Sequence, residues 1–435
     1  MSAAAQSSSE SLSVMRMRAA FEQLASYGMS VRQKAFAAFA QVGFPTPRDE
    51  QWKYTNLRRL ESRELTLGSS VQPENLTLDT PVDAYEAVFV NGHYQNKLST
   101  LPNGTGLKIT SIAELQKTSP EQVTELLSTS LNQTSSMTFL NTALTQDGLL
   151  IELAAHACLD KPLYVSFIST VSGKDFMTHP RVAIHAGTHS QLTVVQRFIG
   201  SGSTVYLNNS VTTIKLHEAA RLEHCLIQNE NHSSFHINLL QAELATHASL
   251  TNHHFNLGAA LARTDINVLL KGTGANATLN GLQFATGNQH HDSHLQVEHC
   301  VPHTNSNEDY RGIADGRGRI VFNGKVMVHE KAAKTDAQQS SRNLLLSNTA
   351  EIDTKPELEI YNDDVKCAHG ATVGQLDATA LFYLRSRGLD ENQARALLTH
   401  AFANHIINQV PVTELRQQLT KLSHARFGAS VESEA

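Results

Sequence analysis

Hydrophobic positions along the chain change period twice. Near the start they follow a helix. In SVRQKAFAAFAQVGFPTP, Phe36, Phe39 and Ala40 fall at i, i+3 and i+4. Ser30 can cap that helix, Gly43 suits its end, and Pro45 and Pro47 forbid continuation. SPEQVTELL offers Ser119 as a second cap, with Pro120 at the first helical position. Strand-like pieces such as AYEAVFVNGHY lie between. From about residue 146 the runs become short and β-branched (LLIEL, PLYVSFIST, RVAIHA, QLTVVQRFIG), each bounded by small residues. After residue 375 helical spacing returns: Leu398, Phe402 and Ile406 recur at i, i+4 and i+8, with Asp377 and Asp390 as caps and Pro411 as a stop. The pattern predicts a mostly helical region over 1–145, a β-rich core over 146–374 and a helical region over 375–435, two or three short helices whose apolar faces must cover an end of the core or meet a partner.

Inside the β-rich core a loose motif recurs, a small residue, any residue, then Leu, Ile or Val. It is found at Ser190-x-Leu192, Ala220-x-Leu222, Ala248-x-Leu250, Ala277-x-Leu279, Gly318-x-Ile320, Ala350-x-Ile352 and Ala371-x-Val373. The steps between third positions are 30, 28, 29, 41, 32 and 21 residues, the longest spanning an insertion-like QHHDSHLQVEHCVPHTNSNEDY. A period near 30 with short strands predicts a β-solenoid. The competing arrangement is an antiparallel sandwich or barrel. The scarcity of Asn-Gly turns between closely spaced strands favours the solenoid.

Composition narrows the function. With 35 basic and 41 acidic residues the formal charge is -6, which argues against nucleic acid as the main partner. Charged residues make up only 17%, and neutral polar residues suited to strands fill the gap. The first residues, rich in Ser and Ala, carry no charged segment followed by an apolar stretch and are expected to be disordered. No apolar run approaches membrane-spanning length, so a soluble, cytoplasmic protein is expected. Cys158, Cys225, Cys300 and Cys367 form no CxxC pair, and four scattered thiols fit a reducing compartment.

The stretch DDVKCAHGATVG, residues 363–374, crowds Cys367 and His369 together. On a strand, i and i+2 share one face, so thiol and imidazole would lie side by side. Lys366 would favour the thiolate; Asp363 and Asp364 would oppose it. Two ligands do not make a site, because structural zinc and iron–sulfur clusters take four. The pair is therefore half of a site completed elsewhere, or a buried thiol beside a hydrogen-bonded imidazole. A denser cluster, NQHHDSHLQVEHC, contains His290, His291, Asp292, His294, His299 and Cys300, and makes His290, His294 and His299 candidate metal ligands. Its spacing matches no zinc pattern, and 18 of the 22 histidines lie between residues 156 and 369 in any case. A Cys–His–Asp nucleophile built on Cys367 has no specific signature. GRIVFNGKV places Val326 where a phosphate-binding loop needs Ser or Thr, so no nucleotide site is expected on this chain.

The block 334–389, KTDAQQSSRNLLLSNTAEIDTKPELEIYNDDVKCAHGATVGQLDATALFYLRSRGL, resembles the signature region of the SufB/SufD family of iron–sulfur cluster assembly proteins. DEQWKYTNL (49–57), FLNTALTQDGLLIEL (139–153) and GNQHHDSHLQVEH (287–299) also fit family patterns, the first of them that of the SufD branch. The resemblance implies a right-handed parallel β-helix core flanked by helical N-terminal and C-terminal regions. It implies a non-enzymatic scaffold that pairs with a SufB paralogue through the β-helices and docks the ABC-type ATPase SufC through its C-terminal helices, with no nucleic acid or membrane partner. An isolated chain could form a homodimer instead. Cys367 and His369 match the family's Cys-x-His and become candidate iron or cluster ligands at the partner interface, for a transient iron–sulfur cluster shared with SufB. Residues 377–409 match the ATPase-docking helices, with Phe382, Tyr383, Arg385 and Arg387 at the candidate contact. Two rivals remain on the residues alone. A β-helix polysaccharide lyase or hydrolase would carry an export signal and a carboxylate ladder. A stand-alone metal-binding β-helix protein would use residues 290–300.

Overall fold

The structure is a computed structural model that describes residues 11–428, apart from 25–28, 72–82, 103, 105, 129–134, 171–172 and 201. The Ser/Ala-rich start, residues 1–10, lies outside the described residues. From Gln191 onward, successive strands alternate between an 11-stranded and a 10-stranded sheet. Each strand pairs in parallel, and without slippage, with the strand two places on. This is a parallel β-helix of about 7 turns with helices at both ends of the chain. Among the described residues antiparallel pairing occurs only near the N-terminal end, between Phe89–Val90 and His93–Tyr94, between Leu107–Ser111 and Gly148–Leu153, and at the bridge Glu86–Thr100.

The repeat is real but more regular than the small-x-Leu motif indicates. The residues that occupy one inner column of the ten-stranded sheet are Leu192, Leu222, Leu250, Ala277, Ser306, Ala337 and Cys367. Consecutive members are 30, 28, 27, 29, 31 and 30 residues apart. After Leu250 the column residue shrinks, so the motif drifts to neighbouring columns and, at Gly318 and Ala350, to the other sheet. The apparent insertion at 289–310 is an ordinary coil: strand His290–His299, a corner, and the start of strand Asn305–Ala314.

The corner after each strand of the eleven-stranded sheet, from Arg181–Ala186 to Arg319–Val328, holds a left-handed residue. His189, Ala219, His247, Gly274, His303 and Lys334 have φ of 55°, 54°, 55°, 75°, 59° and 61°. Histidine tolerates this region better than branched residues. Each corner's N–H donates to a carbonyl of the next, as His247 does to Thr273 and His303 to Ala333. Four histidines, His156, His189, His247 and His303, serve left-handed corners, and others such as His224, His254 and His291 are buried in the interior.

The flanking helices cover the two outer faces. Leu12–Phe21, Met29–Val42 and Ser136–Leu144 pack Val14, Phe36, Phe39 and Leu140 over Met177, Leu207, Phe235 and Ile237 of the eleven-stranded sheet. Glu391–Ile407 and Thr413–Phe427 pack Ala403, Ile406, Leu415 and Leu419 over Val195, Ile227, Phe255 and Ile313 of the other. These last helices lie along the flank and leave the end of the solenoid uncovered. Asp377 caps helix Ala378–Ser386 and Asp390 forms a capping box with Gln393, as the sequence indicates.

Candidate functional site

The C-terminal end of the β-helix is open on both sheets. Strand Glu351–Ile360 pairs only with Arg319–Val328, and strand Lys366–Gly374 only with Asp336–Leu345. Along Lys366–Gly374 every residue but Cys367 is exposed. An uncapped edge of this kind presents unpaired backbone groups to any strand that can continue the sheet.

Cys367 and His369 both lie on this edge strand, on its inner side. Cys367 is half-buried and packs with Leu358 and Val365 against Val326, Val328 and Ala337. Burial pushes its thiol pKa up, aided by Asp336, while the backbone N–H of Ala337 opposes the shift. Lys366 falls on the opposite face, and its sequence neighbour Asp364 pairs with Lys334 at 2.7 Å. His369 is exposed, and its imidazole makes no hydrogen bond among the described residues. The edge thus presents a half-shielded thiol and an open imidazole, two candidate ligands side by side on the inner side of the last coil.

Beneath His369 the same inner column holds Gln339 and then Glu308. The Gln339 amide donates to Glu308 Oε2 at 2.5 Å, and Oε1 of Glu308 has no partner among the described residues. Burial pushes the Glu308 carboxyl up to about 7, against the donated amide hydrogen bond. This polar column was not read from the sequence. Its signal is a carboxylate on the inward parity of a strand, legible only once the register is known.

The histidine cluster of 290–299 separates. His290, Asp292 and His294 do share the outer face, but His299 points into the lumen, where it bonds Thr304 and Ser306 and is pushed down to about 4 by burial. The three histidines therefore do not converge on one ion. The outer group is already satisfied. Asp292 is fully buried and holds Arg263 at 2.8 Å, His294 at 3.0 Å and the Thr55 hydroxyl at 2.5 Å. Burial opposes its charge, but His294 and Arg263 outweigh burial and hold the carboxylate well below its usual range. Arg263 also donates to the Gln51 carbonyl at 2.6 Å and stacks on Trp52 at 4.0 Å. The DEQWKYTNL segment is thus a clasp that fixes the N-terminal region to the solenoid wall.

Beyond the edge strand, helix Ala378–Ser386 buries no residue. Phe382 is 75% exposed and Tyr383 56%. Arg385 pairs with Glu391 at 3.0 Å, and Arg387 bonds and overlies Tyr383. Of the nine large hydrophobics exposed among the described residues, six (Ile360, Tyr361, Val373, Phe382, Tyr383 and Leu397) lie between residues 360 and 397. Exposed apolar surface is therefore concentrated at the open end and in the helices that follow it.

The SUF system FeS cluster assembly SufBD core domain matches residues 167–402, and the SufBD protein N-terminal region matches residues 15–165. The chain belongs to the SufBD family. An iron–sulfur cluster assembly SufBD family protein of Synechocystis is 32% identical over 415 residues, covering 91% of this chain and 90% of the relative. Iron-sulfur cluster assembly protein SufD of Escherichia coli is 32% identical over 391 residues, covering 89% and 90%. The chloroplastic protein ABCI7 of Arabidopsis thaliana is 26% identical over 404 residues, covering 89% and 84%. As a SufBD-family member and SufD homologue, the chain is an iron–sulfur cluster assembly protein. Among its described residues no helix is long and apolar enough to cross a membrane.

Proposed function

We propose that this SufBD-family chain is a non-catalytic, cytoplasmic scaffold subunit. It pairs with a SufB-type paralogue at the open end of its β-helix and docks a SufC-type ABC ATPase through helix Ala378–Ser386. His369 and Cys367 contribute to a transient iron–sulfur cluster, the cargo of the assembly, and the partner supplies the remaining ligands. Four ligands are the usual requirement, and the edge offers two. On this reading Phe382 and Tyr383 form the apolar centre of the ATPase contact, with Arg385 and Arg387 at its rim.

The observation that carries the reading is the bare terminal coil, on which both candidate ligands stand beside concentrated exposed apolar surface. Coupling to the ATPase follows from chain connectivity. Three residues separate Gly374 of the ligand strand from Ala378 of the docking helix. A displacement of that helix on nucleotide binding is transmitted directly to the strand that carries Cys367 and His369.

The test is co-purification. The tagged chain is expressed with the SufB- and SufC-type proteins of its source and washed at high salt. Retention of both supports the scaffold reading, and elution of the chain alone overturns it. A homodimer in the absence of the paralogue is the expected fallback, since the same edge would then meet its own copy.

A further inference from the structure

We infer a second metal site, at Glu298, Cys300 and His329, for a divalent cation of borderline softness such as Zn2+. One carboxylate oxygen, the Cys300 Sγ and one His329 ring nitrogen all lie within 4.8 Å of one another. The donor set is mixed S, N and O, which suits Zn2+ or Fe2+ and disfavours Mg2+ or Ca2+. Three protein ligands that leave a fourth position for water match the open type of zinc site rather than the closed structural type.

The fold builds this grouping. Glu298 lies on the outer face of strand His290–His299, and Cys300 follows two residues later. His329 follows strand Arg319–Val328 and stacks one coil above Cys300, its N–H donating to the His299 carbonyl. The carboxylate is already oriented: Gln296 donates to Glu298 Oε1 at 2.7 Å, leaving Oε2 turned to His329 Nε2 at 3.0 Å. Such support from a neighbouring amide fixes a ligand's direction before the metal arrives. Burial and Glu298 push the Cys300 thiol up, and Lys271, itself paired with Glu243 at 2.9 Å, pulls it down. Cysteine binds a metal as the thiolate, so loading the site releases a proton. A hollow of about 410 Å³ lined by Cys300, His329, Glu330, Lys331 and Tyr361 opens over the site and gives it access. Lys331 is the one cation of that wall, and Glu330 beside it balances the charge.

This site shares no residue with the Cys367–His369 edge and needs no partner chain. The full-length protein, purified anaerobically and stripped with chelator, is titrated with Co2+ as a spectroscopic probe and then with Zn2+. The expected result is one equivalent of Co2+ bound with a thiolate-to-metal charge-transfer band, displaced by Zn2+. Cys300→Ser removes the band and weakens binding by about 10-fold or more, and His329→Ala weakens it similarly. The double variant Cys367→Ser/His369→Ala keeps both band and affinity. Metal-free melting curves of the Cys300→Ser and His329→Ala variants confirm that they fold. A band that survives Cys300→Ser, a band lost in the edge double variant, or stoichiometric binding with no thiolate signature overturns the inference.

Discussion

Cys367 stacks in register on Ala337, at the top of the inner column that begins with Leu192. Its thiol is therefore the last layer of the lumen and lies on the bare edge. His369, two residues on, is exposed and has no packing role. In the assembled complex His369→Ala should lower the iron retained after reconstitution by about 10-fold while leaving co-elution intact. Unchanged iron content would remove His369 from the ligand set.

Glu308 is protonated in the folded chain up to about pH 7, whereas its ordinary value is 4.5. The folded state thus binds more protons than the unfolded one between those values. Its contribution is present at acid pH and lost as pH rises through about 7. Glu308→Gln should flatten that decline and raise stability at pH 8 by up to about 3 kcal/mol. Denaturant melts of both proteins at pH 5 and pH 8 give the answer. An identical pH slope in the variant would mean that Glu308 is already ionised.

Asp292 anchors a buried charge pair with no solvent to replace it. Asp292→Ala leaves Arg263 buried beside Trp52 with only Asp265 as a counter-charge, at 2.9 Å. A loss of about 3–5 kcal/mol is expected, read from the midpoint of denaturant unfolding. Release of the N-terminal region should accompany it, seen as new proteolytic cleavage near residues 49–57. A loss below about 1 kcal/mol would show that the clasp is held by Trp52 packing instead.

Phe382 touches little of its own chain. Phe382→Asp should leave the unfolding midpoint within about 0.5 kcal/mol of the parent yet abolish co-purification of the ATPase. Retained ATPase would move the docking surface off this helix.

Element types were legible because period and punctuation agree. Asp377, Asp390 and Gly388 mark the C-terminal helices in sequence as they do in space. The coil register was legible only through Leu250. Beyond it Ala277, Ser306 and Ala337 fill the column, and no small-x-Leu triplet tracks them. That loss of register hid the chemistry. Cys300 and His329 are 29 residues apart, one coil, and a correct period would have stacked them. Strand parity alone, with no knowledge of the coil period, already sets His290 and His294 apart from His299. Pairing with another chain leaves no such periodic trace, so the role proposed for His369 rests on its exposure and on the family's Cys-x-His.

The bare final coil bears on how much of this chain a cell can make. An open β-helix end grows by adding strands from whatever chain supplies them, including another copy meeting it head to tail, a contact that need not close. On the proposed pairing, chain made in excess of its paralogue keeps this edge bare and is drawn into association with its own copies, as closed dimers or as open head-to-tail assemblies. Under the proposed pairing, synthesis of the two chains in matched amounts is what keeps the final coil covered.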